Sequence, residues 1–288
     1  MGGSRQGPGG PDTRPRLIDV TSPAAVHLAT RGPAARHLPL GLAAAVVLVQ
    51  IPYPLLDGEP LRLLTVATVL VTAAASLAHA VVVHGARTAV AVLASAGGTS
   101  LVLEAVGVRT GYPFGEYAYA GTLGPELLGV PLLVPLAWTM LAYPLLLAAR
   151  VTCAARPRLV MPVTAAGLAG WDLYLDPQMV DAGHWTWAFP DPHLPGLEGI
   201  PLTNLAGWTL GGLLVAAALD RVVPRSRAER LDAGPALLLA WTWLGSALAL
   251  AVWLGRPGAA AWGLVVMAPV VAPALVRTVR HAGAEPAA

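Results

Sequence analysis

The 288-residue chain has no lysine: all 18 basic side chains are arginine, and the formal net charge is only +2. The arginine-for-lysine bias reads as a property of the coding sequence and not of function. Charged residues of both signs make up 12% of the chain, against about 25% in soluble domains. No basic stripe is interleaved with aromatics, so a nucleic-acid partner has no support. The single cysteine, Cys153, excludes an internal disulfide, a CxxC redox pair and a cysteine zinc cluster. Histidines are few and scattered, and His79 and His84 lie five apart, which splits them around a helix and argues against a histidine-rich metal centre. There is no dinucleotide fingerprint, no phosphate-binding loop and no nucleophile elbow. No metal and no redox or nucleotide cofactor is therefore expected.

What is present is apolar. Hydrophobic residues account for 56% of the chain and the mean hydropathy is +0.63, which marks an integral membrane protein. Runs long enough to span, about 17 to 25 residues each, fall near residues 38–56, 61–83, 88–106, 127–149, 159–176, 202–219, 235–254 and 258–276. The expected fold is an all-α polytopic helix bundle of seven or eight transmembrane helices. The first and last runs are the weakest, because their proline and alanine content also suits re-entrant or interfacial segments. Residues 1–37, rich in Gly, Pro and Arg, read as a disordered tail, residues 38–276 as one transmembrane domain, and residues 277–288 as a C-terminal tail.

Arginine placement supports this count, since short cytoplasmic segments carry the excess of positive charge. With the N-terminus inside, only Arg62, Arg109 and Arg256 fall outside, and the other fifteen of the 18 arginines fall inside. Both termini are then cytoplasmic and the protein is a multi-pass protein of the cell membrane.

Two long outer loops stand apart, residues 107–126 (GVRTGYPFGEYAYAGTLGPE) and 177–201 (PQMVDAGHWTWAFPDPHLPGLEGIP). They hold Tyr112, Phe114, Tyr117, Tyr119, Trp185, Trp187 and Phe189. An interfacial aromatic belt explains such residues one at a time; their concentration on one side places any chemistry there.

Carboxylates inside a membrane are costly, from about 2.5 kcal/mol upward at the bilayer centre. Asp172 and Asp176, in GWDLYLDP, are four apart and share a helix face. Two neighbouring carboxylates cannot both ionise cheaply, so the pair is expected to keep one proton that it can donate. Glu104 lies near the outer end of the third run, and Asn204 and Trp208 open the sixth. Three helices thus bring polar groups to one depth beneath the aromatic loops. Simpler roles compete. Asp176 precedes Pro177 and would end a helix there, Glu104 would pair with Arg109, and Asn204 would cap its helix. Asp172, deeper and with no basic partner in its segment, has no such explanation.

At these residues the sequence resembles a known family. The segments TGYPFGEYAY (110–119), VPLLVPLAW (130–138), GWDLYLDPQMV (170–180), HWTW (184–187) and GIPLTNLAGW (199–208) are together similar to the carotenoid 1,2-hydratases of bacteria and archaea, a group that includes bisanhydrobacterioruberin hydratase. The resemblance covers roughly residues 60–220. It implies addition of water across the terminal C1,C2 double bond of an acyclic carotenoid, lycopene or a C50 derivative. The substrates would be the carotenoid and water, the medium membrane lipid, and the protein partners to test other carotenoid-pathway enzymes.

Acid-catalysed hydration of such an alkene needs a proton donor, faces that stabilise a tertiary cation, and a base that orients water. The expected roles are Asp172 as donor, Glu104 as the water-orienting base, Asp176 as the neighbour that tunes Asp172, and Asn204 as hydrogen-bond partner of the acid or the water. Phe114, Tyr117, Tyr119, Trp138, Trp171, Trp185, Trp187 and Trp208 are expected to wall the pocket. A carotenoid cyclase would begin with the same protonation. A membrane prenyltransferase would require an Asp-rich diphosphate site that Asp172, Asp176 and Asp181 imitate only once. A non-catalytic carotenoid carrier is the remaining alternative.

Overall fold

A chain in hydrocarbon must satisfy its backbone within each segment, and the apolar runs do so as helices. The computed structural model describes residues 33–225 and 230–284. Among the described residues eight long helices follow one another: α1 (Pro33–Gln50), α2 (Gly58–His84), α3 (Ala86–Thr110), α4 (Leu133–Thr152), α5 (Val160–Asp181), α6 (Leu202–Val222), α7 (Ala233–Val252) and α8 (Pro257–Ala284). All but α5 are long and apolar enough to cross a membrane by length and composition. Leu70, Val102, Leu214, Leu248 and Val265 are exposed on their outward faces, as lipid-facing positions require.

The fifth helix differs because it is central. It packs along α6, α8 and α4, so Asp172 and Asp176 face protein. Its approach to α8 depends on glycine: a Cβ at Gly263 would come within 2.1 Å of the Tyr174 ring. Tyr174 is fully buried and its hydroxyl donates to the Trp243 carbonyl at 3.0 Å.

Several boundaries depart from the apolar runs. Helix α5 continues through Pro177 to Asp181, so the helix does not end at Asp176. Helix α4 begins at Leu133 rather than near residue 127, because Glu126–Leu127 and Val130–Pro131 pair as a tight hairpin. Its two turn residues, Leu128 and Gly129, both have positive φ, the backbone that two-residue hairpins favour. Helix α1 starts before residue 38 and α8 runs past residue 276 to Ala284. The remainder of the expected N-terminal tail, residues 1–32, lies outside the described residues. Helices α3 and α7 each contain one π turn, Leu93–Gly97 and Trp241–Gly245.

The two aromatic loops meet. Strand β1 (Tyr117–Tyr119) pairs antiparallel with strand β2 (Trp185–Trp187), in register Tyr117 with Trp187 and Tyr119 with Trp185. Because side chains alternate along a strand, Ala118 and Thr186 are exposed while the four aromatics share the inner face. This small sheet forms a lid over one end of the bundle. His184 ties the loops together through Nδ1, 2.7 Å from the Thr122 hydroxyl.

Candidate active site

The first carboxylate beneath the lid is Glu104, on the last turns of α3 and 4% exposed. It accepts three hydrogen bonds: from the Tyr117 hydroxyl at 2.5 Å, the Tyr119 hydroxyl at 2.8 Å and the Trp138 indole nitrogen at 3.1 Å. Hydrogen bonds to a charged acceptor contribute about 1.5 to 3 kcal/mol each. Burial raises both phenols, and the adjacent Glu104 raises them further, so they stay protonated donors. Arg109, the simple partner considered for Glu104, donates instead to the Ala105 carbonyl at 2.8 Å.

Strand spacing and a helix slot place the tyrosines. Phe114 packs edge-on to Tyr117 at 6.1 Å and lies between α3 and α6 where both carry glycine. A Cβ at Gly107 would sit 2.9 Å from the Phe114 ring, and one at Gly207 only 2.5 Å from it. The two glycines admit the ring and thereby seat the start of β1 over Glu104.

The second cluster spans α5 and α6. Asp172 and Asp176 share the buried face of α5, and Asn204, on the first turn of α6, donates its amide to both: 2.9 Å to Asp172 Oδ2 and 2.5 Å to Asp176 Oδ2. Asn204 is therefore not a helix cap, a position taken by Pro201. Asp176 also accepts from the Trp185 indole at 3.2 Å, which couples the carboxylate to the lid. Asp172 Oδ1 is buried without a hydrogen-bond partner. Asp181 turns away and pairs with Arg256, whose Nε lies 2.9 Å from Asp181 Oδ2.

Between the clusters lies a cavity of about 60 Å³ lined by Glu104, Asp176 and Asn204. Its remaining wall is apolar and aromatic: Phe114, Tyr117, Tyr119, Trp138, Trp185, Trp187 and Trp208, with aliphatic side chains that include Leu133, Leu175 and Met179. Trp138 and Trp208 are stacked face to face at 3.9 Å, and Tyr119 meets Trp185 edge-on at 5.8 Å. Two expected residues lie outside it. Asp172 sits behind Asn204, lining a separate cavity of about 10 Å³. Trp171 packs edge-on against Trp208 at 5.7 Å and lines a neighbouring cavity. Sequence reasoning missed Thr65 and Val69 of α2, which line the cavity from the opposite side. Their polar and apolar alternation inside a long apolar run carries no distinguishing signal. Among the described residues no three His, Cys, Asp or Glu side chains are grouped as metal ligands.

Over 122 residues the chain is 38% identical to bisanhydrobacterioruberin hydratase of Haloarcula japonica. The match covers 41% of this chain and 40% of the relative, so it spans about two fifths of that protein's length. No solved structure matches. The family model described as "Carotenoid biosynthesis protein" matches residues 63–270, which takes in both carboxylate clusters and the lid, and the chain belongs to that carotenoid biosynthesis family.

Proposed function

We propose that this protein is a carotenoid hydratase that adds water to the terminal C1,C2 double bond of an acyclic carotenoid. The observation that carries the reading is the placement of Glu104 and Asp176 on one small aromatic cavity, each held by its own donors. A cavity with acid and base but an otherwise hydrocarbon wall suits an alkene that is protonated on one side and captured by water on the other.

Asp176 is the proton donor. It faces the cavity, whereas Asp172, expected to hold this role, stands behind Asn204; Asp172 is therefore the positioning partner. The Asp176 proton goes to C2, the alkene electron pair forms the C2–H bond, and a tertiary cation is left at C1. The faces of Trp138, Trp208 and Trp187 stabilise that cation by cation–π attraction. Glu104, an acceptor fixed by two phenols and an indole, orients a water whose oxygen bonds to C1 and takes the proton that water releases. Atoms balance as alkene plus water giving a tertiary alcohol, and the proton gained by Glu104 restores the one lost by Asp176 across the shared cavity.

Purified protein in detergent, given lycopene and the Asp176→Asn and Glu104→Gln variants for comparison, tests the assignment. The wild type is expected to form an alcohol heavier by one water per reacted end. Each variant is expected to lose about 10² to 10⁴ in turnover, the usual contribution of general acid–base catalysis. Near-normal turnover by Asp176→Asn removes it as donor. Arginine placement supports a lid outside the cytoplasm with both termini within it. A reporter inserted after residue 190 that proved cytoplasmic would invert that orientation.

A further inference from the structure

The reaction cavity is too small for its substrate. Its volume of about 60 Å³ admits a few water-sized groups, each of which needs about 10 to 15 Å³ by this measure. It holds the end of a carotenoid but not the conjugated chain behind it. That chain needs an exit.

One wall of the cavity is shared with a second cavity of about 110 Å³: Thr65, Val69, Leu175 and Met179 line both. The small cavity beside Asp172 shares only Asn204 with it, and the lid closes the opposite side. The second cavity runs between α1, α2, α5 and α7 over a floor that includes Leu141 and Trp171. It adjoins a further cavity of about 440 Å³ through Tyr53, Pro54 and Gln178, and it reaches Thr242, Gly245, Ser246 and Ala249 of α7. The four α7 residues, at 242, 245, 246 and 249, share one helix face and are half-buried, so the cavity reaches the flank of the bundle there.

Two independent features mark this cavity as a ligand site. The π turn Trp241–Gly245 falls at its far end, and such turns are frequent at functional sites. The Thr68 hydroxyl, on its wall, is buried without a hydrogen-bond partner; an O–H aimed at π electrons makes a weak hydrogen bond, which a conjugated chain supplies. The seam above is light. Helix α1 belongs to the least enclosed of the apolar spans and is joined to α7 by the Trp241 indole donating to Gln50 Oε1 at 2.5 Å.

We propose that this second cavity binds the near part of the carotenoid's conjugated chain, whose remainder extends into lipid at the membrane flank between α1 and α7, and that it delivers the terminal alkene past Thr65 and Met179 to Asp176 and Glu104. The proposal rests on the substrate class inferred above. It also makes the protein selective for long, extended chains over short isoprenoids that share the same terminal alkene.

The test uses the full chain purified in detergent. Lycopene binding is read from its absorption bands, and turnover is compared between lycopene and farnesol, a short acyclic isoprenoid. Ser246→Trp and Ala249→Trp fill the far end, and Leu248→Trp, on the exposed face of the same helix, is the control. Ser246→Trp and Ala249→Trp are expected to weaken lycopene binding by about ten-fold or more and to shift selectivity towards farnesol, while Leu248→Trp behaves as wild type. Should the tryptophan variants fail to fold, Ala249→Cys serves instead: bound lycopene is expected to protect this thiol from a maleimide and to leave a Leu248→Cys thiol unprotected. Unchanged lycopene affinity, or a thiol at position 249 that lycopene does not shield, overturns the proposal. Equal loss for both substrates also overturns it and identifies the cavity as a water route. Lycopene that binds here without being hydrated sinks the hydratase reading and leaves the chain-binding one standing.

Discussion

Asn204 is the residue on which the site's order depends. One amide nitrogen donates to two carboxylates on the neighbouring helix, and replacing it with alanine leaves Asp172 and Asp176 buried and less satisfied. A loss of about 1 to 3 kcal/mol is expected for Asn204→Ala, more if either carboxylate stays charged, measured by thermal unfolding in detergent. The two aspartates separate by rank. Asp176→Asn is expected to reduce turnover far more than Asp172→Asn, because of the two only Asp176 lines the cavity that Glu104 also lines. The reverse order would return the donor role to Asp172. Their shared face was legible from four-residue spacing and from the cost of carboxylates among apolar runs. Which of the two meets the substrate was not legible, because that depends on where α6 inserts Asn204, a contact across 28 to 32 residues of chain.

At the scale of elements, the lid is the part that sequence reading described least well. YAY and WTW are three-residue alternations separated by 65 intervening residues, too short to declare strands; only their pairing turns four scattered aromatics into one wall. Phe114 anchors that wall through the glycine slot. Gly207→Ala is expected to push the ring out, since the added methyl would stand 2.5 Å from it. Loss of turnover together with faster proteolysis within residues 111–132 would follow, and a protected, active variant would contradict the anchoring role. His184 makes the lid sensitive to acid. Burial, and next the charge of Arg62, lowers its pKa below the ordinary histidine value of ~6.5. A folded-state value below the unfolded one means that the folded lid binds the proton more weakly. Stability of the lid is therefore full well above that ordinary value and declines as pH falls through it towards the folded value. His184→Gln is expected to flatten this decline, as read by hydrogen exchange of the lid amides between pH 7 and 5; an unaltered profile would assign the acid sensitivity elsewhere.

For the whole molecule, hydropathy alone defined the bundle, because spanning length and internal backbone bonding leave a helix as the only solution for each apolar run. The run that departs is α5, which carries three aspartates and continues through Pro177. Proline removes one backbone donor; burial of Asp176, Pro177 and Met179 on both sides of that gap is what tertiary packing adds and sequence propensity lacks. The least apolar of the eight helices is thus the one at the centre, with Asp172 and Asp176 on its buried face and lipid kept to the outer helices.

The most direct test of the central claim is to incubate the purified chain with lycopene in water enriched in heavy oxygen, and to analyse the extracted pigments by liquid chromatography and mass spectrometry. Hydration by Asp176 and Glu104 predicts a more polar pigment carrying solvent-derived oxygen, absent when either residue is replaced. An isomer of unchanged mass would show instead that the cation is trapped by an internal alkene, and would contradict the account.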